Sequence, residues 1–264
     1  MGSSFRGVLH SSAIGWRVVH ALLMREVLTR FGRHNIGFLW LFVEPMLFTL
    51  GIAALWSATH AVHGSDLPIV AFAITGYSSV LLWRSMPNRC IGAVPANLSL
   101  MYHRNVRASD IYLARLLLEA AGATMSFVFL TILFYSIGWM ELPEDLLRVA
   151  FGWFMLMWFG FSLALFLGAM SVTSELVEKL WHPASYLLFP LSGAAFLVDA
   201  LPTSAQKLIL FLPMVHGVEY VREGFFGSHI RTHYDLAYMA GCNILFTVLG
   251  LAQERKVSRS LVLE

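Results

Sequence analysis

Glu44, followed at once by Pro45, stands inside the first long apolar stretch of this chain. An ionisable side chain within a membrane helix costs about 2.5–3.5 kcal/mol on insertion, so it needs a reason to be there. The proline frees a backbone carbonyl beside the carboxylate and kinks the helix. Two roles fit: a packing or gating carboxylate in a transmembrane path, or a hydrogen-bonded structural one. Glu119, near one end of a later apolar stretch, pairs on spacing alone with Arg115 one turn earlier and reads as structural.

A second constellation is Trp83, Arg84 and Arg89 at the end of an apolar run. Aromatic faces stack on sugar rings, and guanidinium pairs well with carboxylate or phosphate. The three therefore read either as a cationic, aromatic entrance or as an interfacial belt with snorkelling arginines. Tyr77, Trp40 and Trp56 could continue such an aromatic lining. His60 with His63, and His229 with His233, have spacings open to a metal, but few carboxylates lie nearby and interfacial histidines fit better, so no metal site is expected. Cys90 and Cys242 read as inert thiols.

Several chemistries are excluded. The chain's lysines, Lys179, Lys207 and Lys256, follow Glu178, Gln206 and Arg255, so no glycine-lysine phosphate loop exists. No Gly-x-Ser-x-Gly elbow and no His-Glu-x-x-His pair occurs. A membrane-embedded transferase would need clustered Asp, Glu or His at one face, and no such cluster is visible. ATP-driven work would need a second chain, and no catalytic residue is assigned.

The elements that carry these residues follow from composition. The chain is 58% hydrophobic and only 13% charged, with a mean hydropathy of +0.68, where soluble domains carry about 25% charged residues. A bilayer core takes roughly 20 apolar residues per helical span. We read an all-α membrane protein with spans at 36–58, 68–83, 112–139, 149–171, 184–198 and 234–252. Lys and Arg set its orientation. The N-terminal segment, the second loop and the tail hold five, five and three, and Lys179 adds one; Arg148, Lys207, Arg222 and Arg231 fall on the opposite side. Both termini are thus expected inside. No cleavable signal peptide is expected.

Outside the spans, 13–34 reads as an interfacial helix with an apolar stripe of Val19, Leu23, Val27 and Phe31, opposed by Arg17, Ala21, Arg25 and Thr29, with Leu22 and Arg30 breaking the pattern. The second loop holds a short apolar run, Asn97, Leu98, Leu100 and Met101, then His103, Arg104 and Arg107, which suits docking into a groove of a cytoplasmic partner. Ser109 is placed as the N-cap of the third span. Residues 201–231 are external yet apolar and read as a re-entrant or interfacial segment, a gate or a lid. Gly160, Ala164 and Gly168 form a small-residue stripe for close helix packing.

In order and spacing, Arg25-Glu26, Arg30, Arg33 through Gly37, Trp40 and Pro45, then Pro213, His216-Gly217-Val218-Glu219, Arg222-Glu223-Gly224 and Phe226-Gly227 give nearly the whole chain a family likeness. It resembles the ABC-2 type permeases, and within them the inner-membrane permeases of bacterial capsule-polysaccharide exporters. Leu212 departs from the pattern, since many relatives carry asparagine there. The resemblance implies a single ABC-2 transmembrane domain over 1–264 that forms a homodimer. It implies two cytoplasmic ATPase subunits that bind ATP and magnesium, no cofactor in this chain, and periplasmic and outer-membrane export partners. The substrate would be a lipid-linked anionic polysaccharide; another glycan (O-antigen or teichoic acid) or a lipophilic drug is the alternative, and nucleic acid is not a partner. It further implies that 96–107 is a coupling helix, that Trp83, Arg84 and Arg89 admit substrate, that Glu44 shapes the path, and that His216, Glu219 and Arg222 belong to an outer gate.

Overall fold

A computed structural model describes residues 2–31, 39–40, 43, 46–47, 49–51, 54–55, 67–103 and 106–263. Within them the long elements are α1 (Gly2–Phe31), α2 (Ile69–Cys90), α3 (Leu98–His103), α4 (Ala108–Ile137), α5 (Leu146–Thr173), α6 (Glu175–Leu191), α7 (Thr203–Ile209), α8 (Pro213–Phe226) and α9 (Leu236–Leu263). Among the described residues, α2, α4, α5 and α9 are long and apolar enough to cross a membrane. The expected span at 36–58 lies largely outside the described residues.

The bundle is organised around α5, which packs on α2, α8 and α9, while α2 also packs on α4 and α4 carries α1. Small residues set the α2–α5 seam. A Cβ on Gly160 would lie 2.9 Å from the Trp83 Cα, and one on Gly168 would lie 3.0 Å from the Cys90 Cβ and from the Tyr112 ring. The stripe of Gly160, buried Ala164 and Gly168 therefore serves packing inside the chain. Polar side chains then tie helices together: Trp153 Nε1 donates to Thr124 Oγ1 at 2.9 Å, Trp158 Nε1 to Thr247 Oγ1 at 3.1 Å, and Asn243 Nδ2 to the Met155 carbonyl at 3.2 Å. Such bonds add specificity where lipid supplies no hydrophobic drive between helices.

Several boundaries differ from the sequence reading. α2 continues beyond Trp83 to Cys90, because Pro87 falls in its last turn and keeps its carbonyl for the Ile91 N–H. α4 begins at Ala108, so its cap is Arg107, whose N–H donates to Asp110 Oδ2 at 3.0 Å; Ser109 is already inside the helix. The run expected at 184–198 is not one helix. α6 begins earlier, at Glu175, carries Pro183 and Pro190, and stops at Leu191 before Gly193 takes a φ of +83°, a conformation that suits glycine. The last helix runs past 252 to Leu263.

On α1, Val19 and Leu22 are the buried pair, so Leu22 belongs to the stripe it was expected to interrupt, while Arg17, Ala21, Arg25 and Thr29 are exposed. The apolar segment expected to be external is a helical hairpin: α7 leads into a turn at Leu210–Leu212 and α8 returns along α5, with Gly217 beside Leu156 and Gly224 beside Val149.

Candidate functional site

Three groups of side chains stand out, one on an edge of the bundle and one at each end. The edge lies between α2 and α6. Tyr77 and Arg84 are two turns apart on α2 and so share a face. The Tyr77 ring meets Phe189 of α6 edge-on at 6.3 Å, and the Arg84 guanidinium lies 4.5 Å above the Tyr186 ring and 6.0 Å from Phe189. Tyr186 is 69% exposed. A guanidinium stacked this way keeps its in-plane N–H groups for an acceptor while its charge is stabilised by the ring. Tyr186 and Phe189 were not singled out in the sequence; they sit between the prolines of α6, one turn apart.

The structure separates the other expected members of this group. Trp83 is fully buried on the opposite side of α2, 6.0 Å from the Phe159 ring and against Gly160. Consecutive helical residues point about 100° apart, so Trp83 and Arg84 cannot share a face. Arg89 donates through Nε to Glu119 Oε1 at 3.1 Å. Glu119 thus pairs with Arg89 of another helix rather than with Arg115, its neighbour on α4. Trp40 is 60% exposed. Glu44 and Trp56 lie outside the described residues.

At one end of the bundle, a 3-10 turn at Pro95–Asn97 leads into α3. Asn97 is buried, accepts Arg25 Nη1 on Oδ1 at 2.8 Å and donates Nδ2 to the Ala93 carbonyl at 2.8 Å. Arg115 donates Nε to Glu26 Oε1 at 2.9 Å and Nη1 to the Arg89 carbonyl at 2.6 Å. Consecutive residues of α1, Arg25 and Glu26, therefore hold the base of α3 and the start of α4. Leu98, Leu100 and Met101 are half-buried, Tyr102 and Arg107 exposed. Leu98, Met101, Val106 and Arg107 line a groove of about 250 Å³ whose far wall includes Ser258 of α9, a contribution the sequence did not signal. Arg104, and the side chain of His103, lie outside the described residues.

At the opposite end, His216, Glu219 and Arg222 recur every three residues along α8. Arg222 is fully buried, stacks 3.8 Å above the Phe72 ring, and donates Nη1 to the Gly193 and Phe196 carbonyls at 2.5 and 2.6 Å and Nη2 to the Ala194 carbonyl at 2.6 Å. Glu219 accepts the Val198 N–H at 3.3 Å and the His233 N–H at 3.1 Å. His216 donates Nε2–H to the Leu210 carbonyl at 2.8 Å and accepts the Asp235 N–H on Nδ1 at 2.8 Å, the pattern of a neutral ring. Burial lowers its pKa from the ordinary histidine value, in agreement. Together they fasten the connections around α8: 193–196 by Arg222, 198 and 233 by Glu219, 210 and 235 by His216. Gly76 completes the arrangement, since a Cβ there would fall 2.3 Å from the Ala194 oxygen and 2.8 Å from Arg222 Nη2.

Comparison with known proteins agrees with this architecture. The sequence profile described as ABC-2 type transporter matches residues 17–226. The chain is 43% identical over 251 residues to the capsule polysaccharide export inner-membrane protein CtrC of Neisseria meningitidis serogroup B, covering 95% of both chains. It is 41% identical over the same length to the capsule polysaccharide export inner-membrane protein BexB of Haemophilus influenzae, again covering 95% of both. It is 30% identical to the polysialic acid transport protein KpsM of Escherichia coli, over 90% of this chain and 92% of that one.

Proposed function

Because the chain belongs to the ABC-2 type transporter family, we propose that it is the inner-membrane permease of a capsular-polysaccharide exporter, moving a lipid-linked anionic glycan outward. It works as a pair of identical chains with two cytoplasmic ATPase subunits, which bind ATP and magnesium, and it hands the glycan to periplasmic and outer-membrane export proteins. The likeness to permeases named for capsule polysaccharide export, spanning nearly the whole chain, supports this reading.

The observation that carries the mechanism is the stack of Arg84 on Tyr186, whose ring is 69% exposed. The rings of Tyr77, Phe189 and Tyr186 offer flat apolar faces to pyranose C–H surfaces, and Arg84 offers N–H donors to carboxylates along the chain. No contact there is tight enough to arrest a polymer that must slide. α6 exposes Leu176, Leu180, Tyr186 and Leu187 by 64 to 69%, which suits a second copy closing the path. At the inner end, ATP-driven closure of the ATPase pair pushes on α3, and the Asn97–Arg25 and Glu26–Arg115 bonds carry the displacement into α1 and α4.

Arg84→Ala tests the reading in a capsule-forming strain. Surface capsule should fall at least tenfold while the permease still co-purifies with its ATPase. Undiminished capsule would remove Arg84 from the path. Loss of drug resistance with capsule intact would assign the family fold to another substrate.

A further inference from the structure

The turn between α7 and α8 and the first turn of α9 enclose a cleft of about 740 Å³, with His216 on its inner wall. That volume falls within the range of small-molecule sites, about 300–1,000 Å³. Phe211, Tyr234 and Tyr238 supply aromatic walls, and Lys207, Thr232 and Asp235 supply charge and a hydroxyl. The cleft is braced: the Tyr238 hydroxyl donates to the Phe211 carbonyl at 2.8 Å, and Asp235 Oδ1 accepts the Tyr238 N–H at 2.9 Å as the cap of α9. Lys207 is exposed and, among the described residues, makes no ion pair.

Position narrows the occupant. The cleft lies on the α9 flank of α8, where Ile244, Leu245 and Val248 of α9 are 53 to 59% exposed and Leu208 and Phe211 of the hairpin 71 and 70%. Apolar side chains so bare on a membrane bundle face acyl chains, and tyrosines at the end of such a band sit at headgroup level. The opposite flank of α8 faces α2 through Arg222 and Phe72, and the edge proposed for the glycan lies farther along that side. A molecule reaches this cleft from the lipid.

We propose that the cleft binds a zwitterionic phospholipid headgroup, with its phosphate at Lys207 and its ammonium at Asp235 and the tyrosine rings. One cation and one carboxylate in the same cleft match a phosphate and an ammonium joined by a short linker. A purely anionic headgroup would satisfy Lys207 but bring like charge to Asp235. Aromatic faces further favour a cation beside them. Bound this way, the lipid would fasten the hairpin turn to α9 from outside, as His216 does from inside.

The test reconstitutes the full-length protein in bilayers of phosphatylethanolamine, phosphatidylcholine and phosphatidylglycerol in equal amounts, then counts the lipids retained after detergent release by native mass spectrometry. The zwitterionic lipids should exceed phosphatidylglycerol by about threefold, the scale of one exposed ion pair. Lys207→Ala should lower all retained phospholipid by a similar factor. Asp235→Asn keeps an N-cap side chain but removes the charge, and should erase the preference over phosphatidylglycerol. That ratio is read within one sample, so it is independent of how much variant folds. Equal retention of phosphatidylglycerol by the unaltered protein, or a lipid pattern unmoved by both variants, would overturn the proposal. Displacement of the lipid by fragments of the exported glycan would overturn it in favour of a sugar site.

Discussion

Helix α2 has two faces with opposite characters. Toward α5 it presents Trp83, Met86 and Cys90, all fully buried, against glycines at positions 160 and 168. Toward α6 it presents Tyr77 and Arg84, which meet Phe189 and a largely exposed Tyr186. The first face is close-packed and has no room for another molecule. The second is a ring-and-cation strip of half-buried Tyr77, Arg84 and Phe189 with Tyr186 exposed. One helix thus anchors the bundle with one side and offers chemistry with the other, and residues adjacent in sequence fall on different sides.

The sharpest way to break this comparison is at Trp83. Trp83→Ala would leave a cavity against Phe159 and Gly160, and large-to-small changes of this kind cost about 3–5 kcal/mol. Unfolding measured in mixed micelles should show that loss. Retained stability together with a selective export defect would move Trp83 from the seam to the path. Gly160→Val comes next, because its Cβ would already meet the Trp83 backbone at 2.9 Å. Overpacking costs about 1–3 kcal/mol, and the thermal midpoint should fall accordingly. A variant as stable as the parent would mean that the seam can open, and the contrast between the two faces would weaken.

Some of this division was legible in the sequence. The apolar runs of α2, α4, α5 and α9 stand out by length and composition, and the Gly160, Ala164 and Gly168 spacing marks a packing stripe. The helical period alone separates Trp83 from Arg84 once both are placed on one helix. Long-range partners were not legible. Arg115 sits one turn from Glu119, yet α2 brings Arg89 to Glu119 and α1 brings Glu26 to Arg115. Local spacing cannot weigh a partner that arrives from another element. The carbonyls of residues 193, 194 and 196 carry no sequence signal at all, because any residue has a carbonyl. Only the break of α6 at Gly193 turns them toward Arg222.

The smallest expected effect gives the finest test of the open face. A guanidinium over an aromatic ring is worth about 0.5–1 kcal/mol at an exposed site. A double-mutant cycle of Arg84→Ala and Tyr186→Leu should therefore return a coupling of that size in unfolding free energy. Both single variants should stay close to the parent in stability, since neither side chain fills the core. The same cycle read in surface capsule should give a far larger change, because a residue that touches a moving polymer contributes to every step of its passage. Strong coupling in stability with little change in export would make the strip a structural brace, and both faces of α2 would then serve the fold.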